Sequence, residues 1–250
     1  MKYVHDNYLK LNDDKTEFIV LGSNYQINKV NIPHIRVGNA NIVPSAAVRN
    51  LGIMMDSGLT MESHINAISK AAYMSIRNIG RIRTHLNKET TEMIVHAFIT
   101  SKIDIGNALL SGIPKAQIKR LQRIQNIAAR ITTYTNTKVH ITPVLKELHW
   151  LPVEYRVQYK VALYVYKALN GIAPAYIAAM VNLYMPSRKS LRSSSKKLIH
   201  QKAAKTQWGD RSFSVAAAKL WNTLPGSVKY ANSIDSFKKN LKTFLFKIAY

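Results

Sequence analysis

The stretch KAQIKRLQRIQNIAARITT, residues 115–133, is the clearest structural signal in the sequence. Its apolar side chains recur every three or four residues, the spacing of one face of an α-helix; they are Ile118, Leu121, Ile124, Ala128 and Ile131. The opposite face holds polar and positively charged side chains: Lys119, Arg123, Asn126 and Arg130. The pattern predicts a helix that buries one side and presents positive charge on the other.

Two more helices are predicted on the N-terminal side of this one. Residues 60–86 repeat the apolar spacing. Three cations lie opposite that apolar stripe: Lys70, Arg77 and Arg81. Asn87 has the side chain of a helix N-cap, and the Gly-to-Pro sequence at 112–114 marks where the helix that it starts would end. Residues 59–135 are therefore interpreted as a three-helix domain.

The sequence before residue 59 favours strands, and the sequence after residue 135 favours helices again. Short apolar runs separated by turn residues occur at 17–21, 32–37, 42–43 and 48–55. Helical spacing returns over Val153–Leu169 and after Ser233, which is the predicted N-cap of the last helix, with a basic loop over about 186–211 between them. We expect an α+β, predominantly helical fold in three parts: 1–58, 59–135 and 136–250.

Charge is the unusual feature of the composition. The chain has 36 Lys and Arg against 13 Asp and Glu, a formal net charge of +23, and a polyanionic partner relieves such self-repulsion. Helix faces of a single positive sign indicate contact with a phosphate backbone, although a solvated face is the ordinary alternative. We therefore expect RNA, RNA–DNA hybrid or DNA as the partner. The two basic helix faces would bind it together with a basic arm that includes Arg188, Lys189, Arg192, Lys196 and Lys197.

Several kinds of site are missing from the sequence. The chain has no cysteine, which excludes disulfides and thiolate chemistry, and its histidines form no metal-binding pair at helical spacing. Asp13 and Asp14 fit a polar turn better than a two-metal carboxylate pair. There is no glycine-rich phosphate loop, no evident small-molecule site and no apolar run long enough to span a membrane. Because acidic residues stand where a signal peptide would be apolar, we expect an intracellular protein of the nucleus or cytoplasm.

A set of short motifs runs in one order over almost the whole chain. The motifs are NYLKLN (7–12) with KTE (15–17), VRNLGI (48–53), LQRIQNIAAR (121–130), LHWLPV (148–153), APAY (173–176), LRSS (191–194), GDR (209–211) and LWN (220–222). Each motif alone is a weak signal, but their joint order is specific. Together they resemble the reverse transcriptases of non-LTR (LINE-type, jockey-like) retrotransposons.

The resemblance implies a role for each part of the chain. Residues 1–58, 59–135 and 136–250 would be the edge of a palm, a thumb and a C-terminal domain. Leu51 and Gly52 match the turn that grips the primer end, and Lys15 matches the lysine that protonates the leaving pyrophosphate; an exposed turn lysine is the alternative reading of Lys15. The family's catalytic Asp-Asp pair lies upstream of these motifs, so Mg²⁺ would belong to a missing palm and this chain would hold no cofactor.

Three functions stay open at this point. The chain would be a truncated reverse-transcriptase-like protein that binds RNA or RNA–DNA hybrid without catalysing synthesis by itself. Alternatively, it is part of an RNA-directed DNA polymerase whose palm comes from upstream coding sequence or from an unknown partner. A third alternative is a relic of a retroelement without selected function.

Overall fold

The fold is α+β and predominantly helical, as the sequence predicts. The computed structural model describes residues 6, 12, 15–30, 32–38, 40–185 and 197–250. The chain divides into two compact units, Met1–Ala67 and Ile68–Tyr250. The predicted palm edge, thumb and C-terminal domain stay predictions, and both predicted helical parts contribute to the second unit.

The first unit contains short elements. A helix, α1 (Asn24–Lys29), begins where the Ser23 hydroxyl accepts a hydrogen bond from the Gln26 amide at 3.2 Å. Two antiparallel hairpins follow: β1 (Ile35–Val37) with β2 (Ala40–Ile42), and β3 (Ala47–Asn50) with β4 (Ile53–Asp56). In the second hairpin, Ala47 pairs with Asp56 and Asn50 with Ile53. Of the strand predicted over 17–21, the structure shows an isolated parallel bridge from Phe18 to Pro44.

The boundary between the units falls within α2 (Glu62–Ile82), which a 3₁₀ turn (Arg83–His85) extends. The longer helices of the second unit are α5 (Lys115–Thr133), α7 (Val153–Leu169), α10 (Phe213–Thr223) and α12 (Ile234–Ala249). The bounds of α5 and α7 are those that the sequence predicts. Shorter helices connect them: α6 (Ile141–Glu147), α8 (Ala175–Ala178), α9 (Gln207–Arg211) and α11 (Gly226–Lys229).

The second helix predicted in 59–135 is broken into several pieces. Asn87 caps α3 (Lys88–Val95) as predicted, with its side-chain oxygen 2.8 Å from the Thr90 amide nitrogen. A π-helical turn (His96–Thr100), α4 (Ser101–Asp104) and a 3₁₀ turn (Asn107–Leu110) follow. The helical path ends at Ile105, whose backbone is extended, and Gly106 then turns the chain into the 3₁₀ segment with a positive φ of 62°.

The C-terminal end of the predicted loop over 186–211 is helical in the structure. Gln207–Arg211 form α9, because the Thr206 hydroxyl accepts a hydrogen bond from the Gly209 amide at 3.0 Å and so caps the helix. Residues 186–196 of that loop lie outside the described residues.

The core of the second unit lies where α7, α10 and α12 meet. Tyr166, Trp221 and Phe237 are almost fully buried there, and the rings of Tyr166 and Phe237 stack with centroids 4.1 Å apart. Truncating one such aromatic side chain to Ala costs about 3–5 kcal/mol. Two glutamines join α5 to the start of α7: the buried Gln125 donates to the Leu151 carbonyl at 2.9 Å, and the partly buried Gln122 accepts from the Val153 amide at 2.8 Å.

Among the described residues, none of the helices combines the length and the apolar character that a membrane span needs.

Candidate nucleic-acid interface

Five of the six cations predicted on α2 and α5 are exposed. The side chains of Lys70, Arg77, Arg81, Lys119 and Arg123 all lie on the surface. Residues 68–82 and 115–133 contain no Asp or Glu, and within the described part of the chain none of the five cations forms an ion pair. Ordinary exposed helices mix both signs of charge, so these two faces form an uncompensated positive surface.

Arg83 joins the C-terminal ends of these two helices. Its guanidinium donates three hydrogen bonds to backbone carbonyls: Nε to Ile131 at 2.6 Å, Nη2 to Thr132 at 3.1 Å and Nη1 to Leu86 at 2.6 Å. Carbonyl groups in the last turn of a helix have no intrahelical donor, and Arg83 supplies one. The side chain therefore fixes the end of α2 against the end of α5.

A groove of about 520 Å³ runs between these helix ends. Gly80 lies on its α2 side, and the half-exposed side chain of Ile127 lies on its α5 side. Gly80 is exposed within a helix, and a Cβ added there would meet no atom within 4 Å. The bare backbone at Gly80 therefore leaves room for a ligand to approach the helix closely.

Tyr134 provides an aromatic surface at the end of the groove. It is the residue after the last turn of α5, its φ is 60°, and its side chain is 66% exposed. The Arg83 guanidinium lies over its ring at 4.9 Å from the centroid. A bulky residue in left-handed backbone conformation is unusual, and an exposed ring supported by a cation is a surface on which a base can stack.

Arg130 has a different environment from Lys119 and Arg123, although the sequence places all three on one face. It is half-buried and lines the groove. Its guanidinium donates to the backbone carbonyls of Asn136 and Val139, the latter at 2.6 Å. The side chain thus holds the loop that follows α5, and part of its hydrogen-bonding capacity is used within the protein.

The basic arm is described only in part. Arg188, Lys189, Arg192 and Lys196 lie outside the described residues. Lys197 is exposed, and its ammonium lies over the Tyr230 ring at 5.4 Å. Its carbonyl accepts a hydrogen bond from the Trp221 indole at 2.9 Å, which anchors this end of the segment to the core.

The residues matched to polymerase roles lie in the first unit. Lys15 is exposed in a turn, where its backbone N–H donates to Asn12 at 3.2 Å; Asp13 and Asp14 lie outside the described residues. Leu51 and Gly52 form the tip of the β3–β4 hairpin with φ of 47° and 86°. Two positive φ values at the centre of a two-residue loop are typical of a type I′ turn. Leu51 is 95% exposed, so this strained position presents an apolar side chain to solvent.

Sequence reasoning did not identify Gly80, Arg83 or Tyr134 as site residues. Gly80 carries a local signal, since a glycine inside a helical pattern often has a packing or functional reason. Arg83 and Tyr134 carry no comparable signal, because their importance depends on contacts between segments about 50 residues apart.

No family model matches this chain, and no significant match is found among curated proteins or solved structures.

Proposed function

We propose that this chain binds RNA, RNA–DNA hybrid or DNA through the sugar–phosphate backbone, and that it does so as the thumb-containing part of a reverse-transcriptase-like protein of the non-LTR type. The observation that supports the proposal most directly is the exposed positive charge on two helices, α2 and α5, whose C-terminal ends border one groove. Unpaired cations on two helices that meet at a groove suit a polyanion that contacts both helices.

The chemistry of the groove favours binding without sequence preference. Lys and Arg side chains neutralise phosphates and carry no information about the bases. Gly80 allows a backbone to approach α2, and the exposed Tyr134 ring can stack on any base because every base has a π-face. The proposed site therefore combines charge, close approach and stacking without groups arranged to read base edges.

The motif order supports the assignment to a reverse-transcriptase-like protein. Most of the groove lining lies within 59–135, the part whose resemblance implies a thumb, and Asn136 and Thr137 follow directly. The motif LQRIQNIAAR (121–130) supplies Ile127 and Arg130 to the groove and Arg123 to the exposed basic face of α5. A thumb holds a template–primer duplex by its backbone, which is the role that the groove suits. Phosphoryl transfer would require Mg²⁺ ligands that the resemblance assigns to a palm outside this sequence.

The test is the salt dependence of binding to a fluorescent RNA–DNA hybrid, measured by anisotropy. If the five exposed cations contact phosphates, log K falls with log salt at a slope of roughly −3.5 to −4.5. Arg81→Gln/Arg123→Gln removes two of these contacts, so we expect the slope to become less steep by roughly 1.4–1.8. The variant should weaken binding to unrelated sequences equally.

The matched control is Lys239→Gln/Lys247→Gln, which removes the same charge from exposed positions of α12. We expect this variant to keep most of the affinity and the slope of the unmodified chain. If both variants change the slope equally, binding depends on net charge alone and the groove has no special role.

A further inference from the structure

A second cavity in the Ile68–Tyr250 unit has a volume of about 420 Å³. It shares no lining residue with the groove. Its wall is formed by α3 with the π-helical turn, by the segment 148–151, by α7 and by α12. Small-molecule sites commonly have volumes of about 300–1,000 Å³. This cavity could not be predicted from the sequence, because its wall comes from segments spread over 150 residues.

The two carboxylates of the wall are already partnered within the protein. Glu92 accepts a hydrogen bond from the Trp150 indole at 3.0 Å and lies 3.5 Å from His96 Nε2. Asp104 accepts from Arg156 Nε at 2.9 Å and forms a second bond with the same guanidinium. Asp104 is therefore compensated by the Arg156 guanidinium, and Glu92 is hydrogen-bonded within the protein before any ligand enters.

Two cations of the wall have no such partner. Lys160 on α7 and Lys242 on α12 both line the cavity, and neither forms an ion pair within the described part of the chain. Lys160 lies near the Tyr164 ring, with its ammonium 5.7 Å from the centroid. An anionic group in the cavity would meet uncompensated positive charge from two helices.

The wall also offers a buried acceptor. Asn107 is 5% exposed; its Nδ2 donates to Asp104 Oδ1 at 3.1 Å, while its Oδ1 is buried and has no hydrogen-bond partner. An unpaired buried acceptor costs about 1–3 kcal/mol. An amino or imino N–H of a ligand would satisfy it once the Asn107 side chain turns toward the cavity, because the Oδ1 atom itself has no exposed surface here.

Ring surfaces and unusual backbone conformations occur at the same place. The exposed His149 stacks on Phe246 with ring centroids 5.8 Å apart, and its φ is 54°. His96 opens the π-helical turn, and Gly106 precedes Asn107 with a positive φ. Such departures from relaxed backbone concentrate at binding sites.

We propose that this cavity binds a nucleotide, with its phosphate at Lys160 and Lys242 and its base against His149 and the Asn107 amide. A nucleotide is the ligand class that joins an anion to a flat ring with N–H donors. The site is distinct from the groove, so it can be present whether or not the groove binds a strand. The nucleotide is either free or an unpaired residue at the end of a strand, and the experiment distinguishes the two.

The test uses the indole N–H resonances of the full chain labelled with ¹⁵N. The chain has three Trp residues, so three signals are expected, and single Trp→Phe variants assign them. Trp150 lines the cavity, whereas Trp208 and Trp221 do not. On titration with 5′-AMP, we expect saturable movement of the Trp150 signal alone. To move the Trp150 signal equally, adenosine and inorganic phosphate should each require a concentration at least tenfold higher than AMP, because each supplies only part of the contacts.

Lys160→Gln/Lys242→Gln should weaken AMP binding at least tenfold. The matched control, Lys167→Gln/Lys239→Gln, removes the same charges from α7 and α12 outside the cavity and should leave the affinity unchanged. A Trp150 signal that does not move at millimolar AMP would overturn the proposal, as would equal binding of AMP and inorganic phosphate.

The source of the nucleotide is decided by a 5′-phosphorylated tetranucleotide added in place of AMP. Affinity at least tenfold higher than that of AMP, and dependent on the 5′-phosphate, would assign the site to a strand end. Equal or weaker affinity would assign it to a free nucleotide. In either case the groove variant Arg81→Gln/Arg123→Gln should leave AMP binding unchanged, which separates this site from the proposed interface.

Discussion

Arg83 Nε donates a hydrogen bond to the carbonyl oxygen of Ile131 at 2.6 Å, across 48 positions of sequence. The bond belongs to a fork of three, which satisfies carbonyls at the end of α5 and in the turn after α2. The groove lies between these two helix ends, so the side chain that joins them also lines the proposed interface.

Arg83→Lys should therefore lower both stability and nucleic-acid affinity. Lysine keeps the charge but lacks the planar fork, so at least one carbonyl would lose its donor, which costs about 1–3 kcal/mol. Urea unfolding measures the first effect and anisotropy the second. Arg81→Lys is the control: this neighbour is exposed and has no ion pair within the described residues, and the substitution should leave both quantities unchanged. If Arg83→Lys left stability and affinity as unchanged as Arg81→Lys does, the three hydrogen bonds of Arg83 would contribute to neither.

Gly80→Ala should have opposite effects on stability and binding. An exposed glycine inside a helix is less favourable than alanine by about 0.8–1.0 kcal/mol, and the added methyl group meets no atom. The free energy of unfolding should rise by roughly that amount, while affinity for the hybrid should fall because the groove narrows.

Asn78→Ala is the matched control for Gly80→Ala. Asn78 is exposed on the same helix and does not line the groove. Alanine also has the higher helix propensity there, so stability should rise while affinity stays constant. If Gly80→Ala raised stability and left affinity unchanged as well, the close approach proposed at Gly80 would be wrong.

The sequence predicts helices well where the signal is local. The bounds of α5 and α7 follow from apolar spacing, and Asn87 and Ser233 cap their helices as predicted, with the Ser233 hydroxyl 3.1 Å from the Ser236 amide nitrogen. The π-helical turn at His96 could not be predicted, because its local pattern is that of an ordinary helix. It is one turn within a segment that packs against distant elements.

The site is predicted less completely than the fold. Exposure of Lys70, Arg77, Arg81, Lys119 and Arg123 follows from helical periodicity. The hydrogen bonds of Arg130 to carbonyls beyond α5 do not follow from periodicity. Periodicity shows which face of a helix a residue lies on, but not which loops fold back onto that face. The cavity at Trp150 could not be predicted, because its lining residues come together only through tertiary packing.

Leu51→Asn should stabilise the β3–β4 hairpin. Left-handed backbone conformation costs a bulky residue roughly 1–2 kcal/mol, and Asn-Gly is a favoured pair in type I′ turns. The side chain is 95% exposed, so little packing is lost. Amide hydrogen exchange in residues 47–56 should slow in this variant. Leu51→Ala removes the same apolar side chain without relieving the backbone; if it slowed exchange equally, strain at this turn would not be the cause.

The pH dependence of stability should reveal the environment of Tyr250. Its hydroxyl donates a hydrogen bond to the Trp150 carbonyl at 2.7 Å, and burial raises the pKa of Tyr250 from 10 to about 12. The folded chain therefore keeps this proton where the unfolded chain releases it. The stabilisation is complete below pH 10 and is lost as the pH rises from about 10 to about 12.

Tyr250→Phe should remove this part of the pH dependence. At pH 8 the variant should be less stable by about 1 kcal/mol, because it lacks the hydrogen bond. Between pH 10 and 12 its free energy of unfolding should fall less steeply than that of the unmodified chain, which brings the two values together. Urea unfolding at pH 8, 10 and 11.5 measures the difference. Tyr176→Phe, at a ring that is 66% exposed, is the control and should follow the unmodified chain throughout. A constant gap between Tyr250→Phe and the unmodified chain at all three pH values would show that the Tyr250 hydroxyl is not held in its neutral form by folding.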